Sequence, residues 1–313
     1  MKNNILALGF WLLVSPPLLW RGAGGEAYAQ QDPEYSQYMF NKLAINPAYA
    51  GSRDVFSSTL TYRNQWTGID GAPSTAALAF QMPLKKKNVG LGMEVLSDKM
   101  GFKNTSAMLL SYAYRISFLK GDLSFGLRTG IYDYAFDWSK AKVKDPSDVF
   151  NTGGRSSKIT GTGDAGLYYY TRTFYWGLGI THLNRGKVTD VASDNFSTRQ
   201  SVHHFMSIGK AFEVGNIILN PALLIKGAGN APREIDLSFN VLLKERLWIG
   251  ISARSNYGIV FLSQYMVNDK MKVGYSYDYG MNKIGTVGKG THEIMIGYDL
   301  NMKGTKMEML RYF

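Results

Sequence analysis

Apolar residues alternate with small or polar residues over most of the chain between residues 54 and 301. Leu123, Phe125 and Leu127, for example, are separated by Ser124 and Gly126. Because successive side chains of a β-strand face opposite sides of the sheet, each such segment has one apolar face and one small or polar face. Fourteen segments follow this pattern, without a comparable helical periodicity. An even set of amphipathic strands predicts an all-β fold, a transmembrane antiparallel β-barrel of the outer-membrane type with about 14 strands.

The connections between the predicted strands alternate in length. The second, fourth, sixth, eighth, tenth and twelfth are short and polar, whereas most of the others are long, the largest covering residues 134–162 and 183–200. Short periplasmic turns alternating with longer outer loops are typical of outer-membrane barrels, whereas a globular β-sandwich has no reason to keep this parity. An even strand number also predicts that both chain ends are periplasmic. The predicted strands lie near residues 54–63, 75–83, 89–97, 106–117, 123–133, 163–170, 174–182, 201–211, 217–226, 234–243, 247–254, 258–267, 271–278 and 291–301.

The two faces of the predicted strands differ as a membrane barrel requires. One outward face consists of Met108, Leu110, Tyr112, Tyr114 and Ile116, and tyrosines near strand ends suit the membrane interface, where the ring lies in lipid and the hydroxyl in water. Inward faces carry charges of both signs, which we expect to pair across the lumen or to line water. These charges belong to Arg63, Glu94, Arg128, Asp164, Asp236, Arg254, Lys272, Asp278 and Glu293.

Composition and the chain termini complete the predicted organisation. An apolar run at residues 5–20, followed by Ala27, Tyr28 and Ala29 before Gln30, predicts a signal peptide over residues 1–29. The next regions are an N-terminal periplasmic segment or plug (30–53), the barrel (54–301) and a C-terminal periplasmic extension (302–313). The mean hydropathy of −0.16 and the lack of another long apolar run exclude a helical membrane protein. The chain contains no cysteine, which excludes disulfides, a cysteine lipid anchor and a thiol catalyst.

Motifs for chemistry are scarce, and each has a structural explanation. Residues 161–166 (GTGDAG) match the GxGxxG pattern but lead into a strand and not a helix, so they predict no phosphate site. The four histidines have no metal-ligand spacing, and the adjacent His203 and His204 are predicted to face opposite sides of one strand. Aspartates around the fifth connection could bind calcium, but without EF-hand-like spacing we prefer loop solvation; they are Asp133, Asp137, Asp145 and Asp148. The sequence predicts no enzyme, no cofactor and no metal site.

Two groups of residues are candidates for binding a partner. The predicted periplasmic turns form a basic rim suited to an acidic protein or to lipid headgroups, although turns are often charged without such a role. The stretch before the first strand lacks alternation and combines aromatic anchors with amides. The candidates are Lys85, Lys86, Lys87, Lys120, Arg172, Lys244 and Arg246 in the turns, and Tyr35, Tyr38, Phe40, Asn41, Asn46 and Tyr49 in the stretch. Nothing supports nucleic-acid binding.

Four stretches of the chain carry a family resemblance. Residues 30–54, the stretches YRNQWTG (62–68) and GAPST (71–75), and HEIMIGY (292–298) together resemble the PorP/SprF family of type IX secretion outer-membrane proteins. This resemblance implies a role in protein export, with the PorK/PorN ring, a PorE-like peptidoglycan-binding lipoprotein and outer-membrane lipid as partners. Residues 301–313 depart from the family pattern, which often ends soon after the closing strand.

Two functions remain open at this stage. The barrel is either a membrane anchor that docks periplasmic components of the secretion machinery, or an outer-membrane channel for small solutes or hydrophobic substrates with residues 30–53 as a plug. The predicted strand number lies between those of filled eight-stranded barrels and open porins, so the lumen width does not decide between them.

Overall fold

The structure, a computed structural model, describes residues 32–84, 88–140, 154–188, 198–229 and 231–301. Short 3-10 helices occupy Lys42–Ala44, Pro47–Tyr49 and Trp138–Lys140, and no helix in these ranges is long and apolar enough to cross a membrane. The strands are β1 (Phe56–Asn64), β2 (Ser74–Pro83), β3 (Val89–Met100), β4 (Lys103–Phe118), β5 (Gly121–Asp137), β6 (Arg155–Tyr170), β7 (Phe174–Thr181), β8 (His203–Lys210), β9 (Phe212–Val214), β10 (Ile217–Ala228), β11 (Glu234–Leu243), β12 (Leu247–Arg254), β13 (Gly258–Met266), β14 (Met271–Gly280) and β15 (Thr291–Leu300).

Strands β8 and β9 are two parts of one barrel strand. Both pair with β10 in a single register, with Gly209 opposite Ala222 and Phe212 opposite Leu219. Pro221 therefore falls opposite Lys210, the last residue of β8, directly before the interruption at Ala211. Proline has no N–H to donate to the ladder, which explains the break at this point.

The sheet closes on itself. Each strand pairs antiparallel with its sequence neighbours, and β1 pairs with β15. With β8 and β9 counted once, the described residues form a closed antiparallel barrel of fourteen strands, and this confirms the predicted fold.

The two ends of the barrel differ in the length of their connections. One end, called here the turn end, has the short connections 84–88, 119–120, 171–173, 215–216, 244–246 and 267–270. The opposite loop end carries the longest connections, 138–154, 182–202 and 281–290.

The side-chain faces follow the predicted alternation. The outward residues from Met108 to Ile116 on β4 are exposed, as are Leu237 and Phe239 on β11. All nine charged residues predicted to face inward are buried. His203 is buried and His204 exposed, as expected for neighbours on one strand.

The extent of the fifth connection was predicted wrongly. Residues 134–137 belong to β5 and residues 155–162 to β6, where Asp137 pairs with Arg155. Strands β4, β5 and β6 have 16 or 17 residues, more than the roughly 9–11 that cross a bilayer. Their loop-end parts have polar outward residues such as Ser106 and Ser157. Large apolar outward residues such as Ile159 are sparse in these parts, which is physically allowed outside the lipid, and the alternation rule therefore missed them.

Cysteine labelling tests the orientation of the barrel. In this cysteine-free chain, Lys120→Cys and Asp269→Cys at the turn end should be protected from an impermeant thiol reagent in intact cells. Lys283→Cys at the loop end should label, because outer-membrane barrels place their short turns in the periplasm. Permeabilised cells, in which all three positions should react, are the control. Labelling of the turn-end positions alone in intact cells would reverse the orientation.

Candidate functional site

Residues 32–53, called here the lumen segment, run through the barrel from the loop end to the turn end. At the loop end, Asp32 Oδ2 lies 2.9 Å from His182 Nε2 and 3.3 Å from His203 Nδ1. At the turn end, the Gly51 N–H donates to Gln81 Oε1 at 3.1 Å. The lumen is thus occupied by the chain itself.

The direction of the lumen segment differs from the sequence-based expectation that both chain ends are periplasmic. Asp32 lies at the loop end, although Asn301, which follows β15, lies at the turn end. An even strand number fixes where the first strand begins and where the last strand ends. It does not fix the path of a segment that precedes the first strand.

Contacts hold the lumen segment to strands on all sides of the wall. Its polar contacts reach Arg63 of β1, Gln81 of β2, Ser124 of β5, Leu167 of β6, Ser238 of β11 and Glu293 of β15. Apolar contacts add further strands, because Tyr38, Met39 and Ile45 pack with Leu224 of β10 and Leu262 of β13. Together these contacts make the segment the core of the barrel.

Asn46 organises the middle of the lumen segment. Its Oδ1 accepts a hydrogen bond from the Ala48 N–H at 2.9 Å and so caps the 3-10 helix Pro47–Tyr49. Its Nδ2 donates to the Leu167 carbonyl of β6, also at 2.9 Å. One side chain therefore shapes the segment and fixes it to the wall.

Glycines on the inner wall make room for the lumen segment. A Cβ added at Gly126 of β5 would lie 2.1 Å from Ala48 N, and one at Gly179 of β7 would lie 2.2 Å from Ile45 O. Any side chain at these positions would force the backbone of the segment away from the wall. The same holds at Gly90, whereas a Cβ added at Gly166 or Gly274 would meet the side chain of Asn46 or Gln37. The wall is therefore shaped to this occupant.

A buried ionic cluster joins the loop-end half of the segment to the wall. Arg63 Nη2 lies 2.8 Å from Asp278 Oδ2, and Arg63 Nη1 lies 3.1 Å from Glu293 Oε2. Ser36 lies between them, since its hydroxyl accepts from Arg63 Nη1 at 2.8 Å and lies 2.7 Å from Asp278 Oδ2. Arg254 Nη1 completes the cluster 3.3 Å from Asp278 Oδ2. Buried charges need such partners, because an unpaired one is strongly destabilising.

A second cluster lies on the opposite wall. Arg128 Nε donates to Asp164 Oδ2 at 2.5 Å, and Arg128 Nη1 lies 3.5 Å from Glu94 Oε2. The same guanidinium donates to the Leu43 carbonyl of the lumen segment at 3.2 Å. The predicted pairing of the inward charges is found in both clusters, and the segment takes part in each.

Comparison with known proteins identifies the family. The model of the type IX secretion system membrane protein PorP/SprF matches residues 27–298. The chain belongs to the PorP/SprF family. No curated protein matches this PorP/SprF member.

Solved structures with a similar fold are outer-membrane barrels of low sequence identity. Omp33 of Acinetobacter baumannii is 9% identical, with a TM-score of 0.45, and the match covers 79% of this chain and 99% of that one. The KdgM porin is 11% identical, with a TM-score of 0.39 and coverages of 78% and 99%. A TodX mutant, described as a monoaromatic hydrocarbon channel, is 8% identical, with a TM-score of 0.44 and coverages of 85% and 94%.

The structure separates the two groups of predicted partner-binding residues of this PorP/SprF member. Those before β1 lie in the lumen, where Tyr38, Asn41, Asn46 and Tyr49 are buried and Tyr35 and Phe40 partly buried. The turn residues Lys120, Arg172, Lys244 and Arg246 are exposed at the turn end. Lys85, Lys86 and Lys87 lie outside the described residues. Partner binding by either group stays a prediction.

Four aspartates around the fifth connection were considered as calcium ligands in the sequence, and two of them lie in the described residues. Asp137 forms ion pairs with Lys140 and Arg155, and Asp133 lies on β5, whereas Asp145 and Asp148 lie outside the described residues. In the ranges that the structure covers, no group of His, Cys, Asp and Glu side chains is arranged to hold a metal ion.

Sequence reasoning missed the contact of Asp32 with His182 and His203. Asp32 precedes both histidines by 150 or more positions, and only the strand pairing brings the two imidazoles to the start of the lumen segment. Burial alone would raise the pKa of Asp32, but the two imidazoles hold that pKa well below its usual range. Burial also opposes a charged His182, but the Asp32 carboxylate outweighs this effect and raises the pKa of His182.

Substitution of an inward glycine tests the fit of the lumen segment. Gly126→Ala should destabilise the barrel by about 1–3 kcal/mol, a typical cost of overpacking, and should make residues 32–53 accessible to protease. Gly163→Ala is the matched control on β6, because no atom lies within 4 Å of the added Cβ. Urea unfolding in detergent and limited proteolysis measure both effects. Equal behaviour of the two variants would refute the tailored fit.

The Asp32–His182 pair predicts a pH dependence at the loop end. The depressed pKa of Asp32 gives stability that is full above the ordinary value of 3.8 and is lost as the pH falls through the folded pKa. The raised pKa of His182 gives stability that is full below 6.5 and is lost as the pH rises through the folded pKa. The pair therefore holds residues 32–38 best between pH 3.8 and 6.5.

Hydrogen exchange measures this effect directly. After correction for intrinsic rates, the amides of residues 32–38 should exchange faster as the pH rises above 6.5, and His182→Gln should remove the dependence. His204→Gln, at an exposed outward position, should retain it. The same pH profile in the His182 variant would contradict the assignment.

Proposed function

We propose that this PorP/SprF member is a non-conducting outer-membrane anchor to which periplasmic components of the type IX machinery dock. The observation that carries the proposal is the occupied lumen. A channel needs a continuous path, whereas here residues 32–53 form the core of the barrel. The channel alternative requires this segment to leave and thereby to remove its hydrogen bonds to the buried Arg63, Arg128 and Glu293, at a cost of about 1.5–3 kcal/mol for each bond to a charged group.

The turn end supplies the docking surface in this proposal. Exposed cations from different turns are distributed around it, and exposed apolar residues such as Leu119 and Val214 lie among them. Acidic residues such as Glu213, which pairs with Arg172 at 3.3 Å, moderate the charge. A mixed rim of this kind suits an acidic protein surface, because complementary charge steers association and selects partners. The exposed cations are Lys120, Arg172, Lys210, Lys244, Arg246 and Lys270.

The identity of the proposed docking partners rests on membership of the PorP/SprF family. Within it, the length and single-barrel form of the chain are most like PorP itself. The components proposed to dock are the PorK/PorN ring and a PorE-like peptidoglycan-binding lipoprotein. A periplasmic turn end is where such components would meet the barrel.

Planar-bilayer recording separates the anchor from the channel. The purified wild-type barrel should show no steady conductance, because the lumen segment fills the pore. Gly126→Ala, which displaces the segment, should introduce stepwise conductance, and Gly163→Ala should not. Steady conductance of the wild-type protein would favour the channel.

Charge reversal at the turn end tests docking. Lys244→Glu combined with Arg246→Glu should lower co-purification of the ring and lipoprotein components by about tenfold or more, since like charges across an interface cost several kcal/mol. Lys283→Glu combined with Lys289→Glu makes the same change of charge at the loop end and should leave recovery unchanged. Equal recovery with the two double variants would refute docking through the rim.

A further inference from the structure

The seam between β1 and β15 is the one place where the barrel closes between the two ends of its sheet. Every other strand pair is joined by a connection of the chain, whereas β1 and β15 are more than 200 residues apart in sequence. Closing so long a loop costs entropy without a local turn to guide it. Such a pairing can also slip in register, which would turn each side chain to the wrong face.

We infer that the lumen segment is an internal docking partner that holds β15 in register against β1 and so closes the barrel. The segment directly precedes β1, and β15 is the last strand of the barrel. The segment contacts the inward carboxylates near both ends of β15. These two contacts form what we call the upper clamp and the lower clamp.

The upper clamp is built on Glu293 near the start of β15. Glu293 lies directly opposite Arg63 of β1 in the register of the seam, and the two form an ion pair. The segment adds two backbone donors, because the N–H groups of Ser36 and Gln37 donate to Glu293 Oε2 and Oε1 at 2.8 and 2.9 Å. Gln37 Nε2 also donates to the Glu293 carbonyl at 3.2 Å. Both carboxylate oxygens are thus held by the segment.

The lower clamp is built on Asp299 near the end of β15. Asp299 lies opposite Ser57 of β1, whose hydroxyl donates to Asp299 Oδ1 at 2.6 Å. Arg53, the last residue of the segment, places Nη2 2.8 Å from Asp299 Oδ2. Lys272 of β14 lies 3.1 Å from the same oxygen. Charge-assisted hydrogen bonds of this kind are short and directional, so two of them six residues apart fix one register of the strand.

Full-length variants with matched controls test the inference. Gln37→Ala combined with Arg53→Met removes the side-chain contacts of the segment to Glu293 and to Asp299, while both carboxylates keep a cationic partner. Tyr38→Phe combined with Asn46→Ala removes segment contacts to β11 and β6 and touches neither seam strand. The measurement is the rate at which the folded barrel opens at a fixed elevated temperature, followed by its electrophoretic mobility. The seam variant should open about tenfold faster than wild type.

Engineered disulfides distinguish closure from general stabilisation. The outward residues Leu60 and Ile296 face each other across the seam, whereas Leu60 and Leu78 face each other between β1 and β2. Oxidised Leu60→Cys/Ile296→Cys should return the seam variant to the wild-type opening rate, and oxidised Leu60→Cys/Leu78→Cys should not. Should the seam variant not accumulate, Gln37→Ala, which removes one bond to Glu293, should give a smaller acceleration with the same rescue.

Two results would overturn the inference. One is an equal acceleration in the Tyr38/Asn46 variant together with equal rescue by the seam disulfide. The other is an opening rate of the seam variant that equals that of wild type.

Discussion

Burial of charge is the constraint on which the rest of this structure depends. The inner wall carries nine charged side chains that the sequence pattern directs inward, and a wall of this kind is unstable unless each charge meets a partner. Pairing across the wall satisfies part of this need, as between Arg128 and Asp164. The lumen segment satisfies more of it, by adding backbone and hydroxyl groups to the guanidinium and carboxylate groups. The barrel wall and the lumen segment therefore stabilise each other and form one folding unit.

The sequence predicts the strands and their faces well because the bilayer imposes a simple rule. Residues such as Leu110 and Leu237 must be apolar where they meet lipid, so their alternation is visible without any knowledge of contacts. The same rule fails where the lipid ends. The loop-end halves of β5 and β6 have few large apolar outward residues. The inward Tyr132 and Tyr134 of β5 pack with Val188 of another connection, which no local pattern reveals.

The candidate site is less predictable from sequence, for a different physical reason. The stretch before β1 is recognisable as irregular and aromatic, but irregularity does not say whether a segment lies outside the barrel or within it. Its position depends on small residues spread over the wall, such as Gly126 and Gly179, whose purpose appears only when Ala48 and Ile45 are placed against them. Alternation assigns Gly126 to the inner face, but it does not show that another backbone lies against this glycine.

The long strands β4, β5 and β6 also make one side of the barrel different from the other. They extend beyond the bilayer on one side of the loop end, and the wall is lower where strands of eight to ten residues such as β7, β11 and β12 form it. A cylinder of equal strands can rotate in the membrane plane without changing what a neighbour meets. Because the strands of this barrel differ in length around its circumference, an assembly that contacts β4, β5 and β6 beyond the bilayer fixes the rotation of the barrel as well as its position.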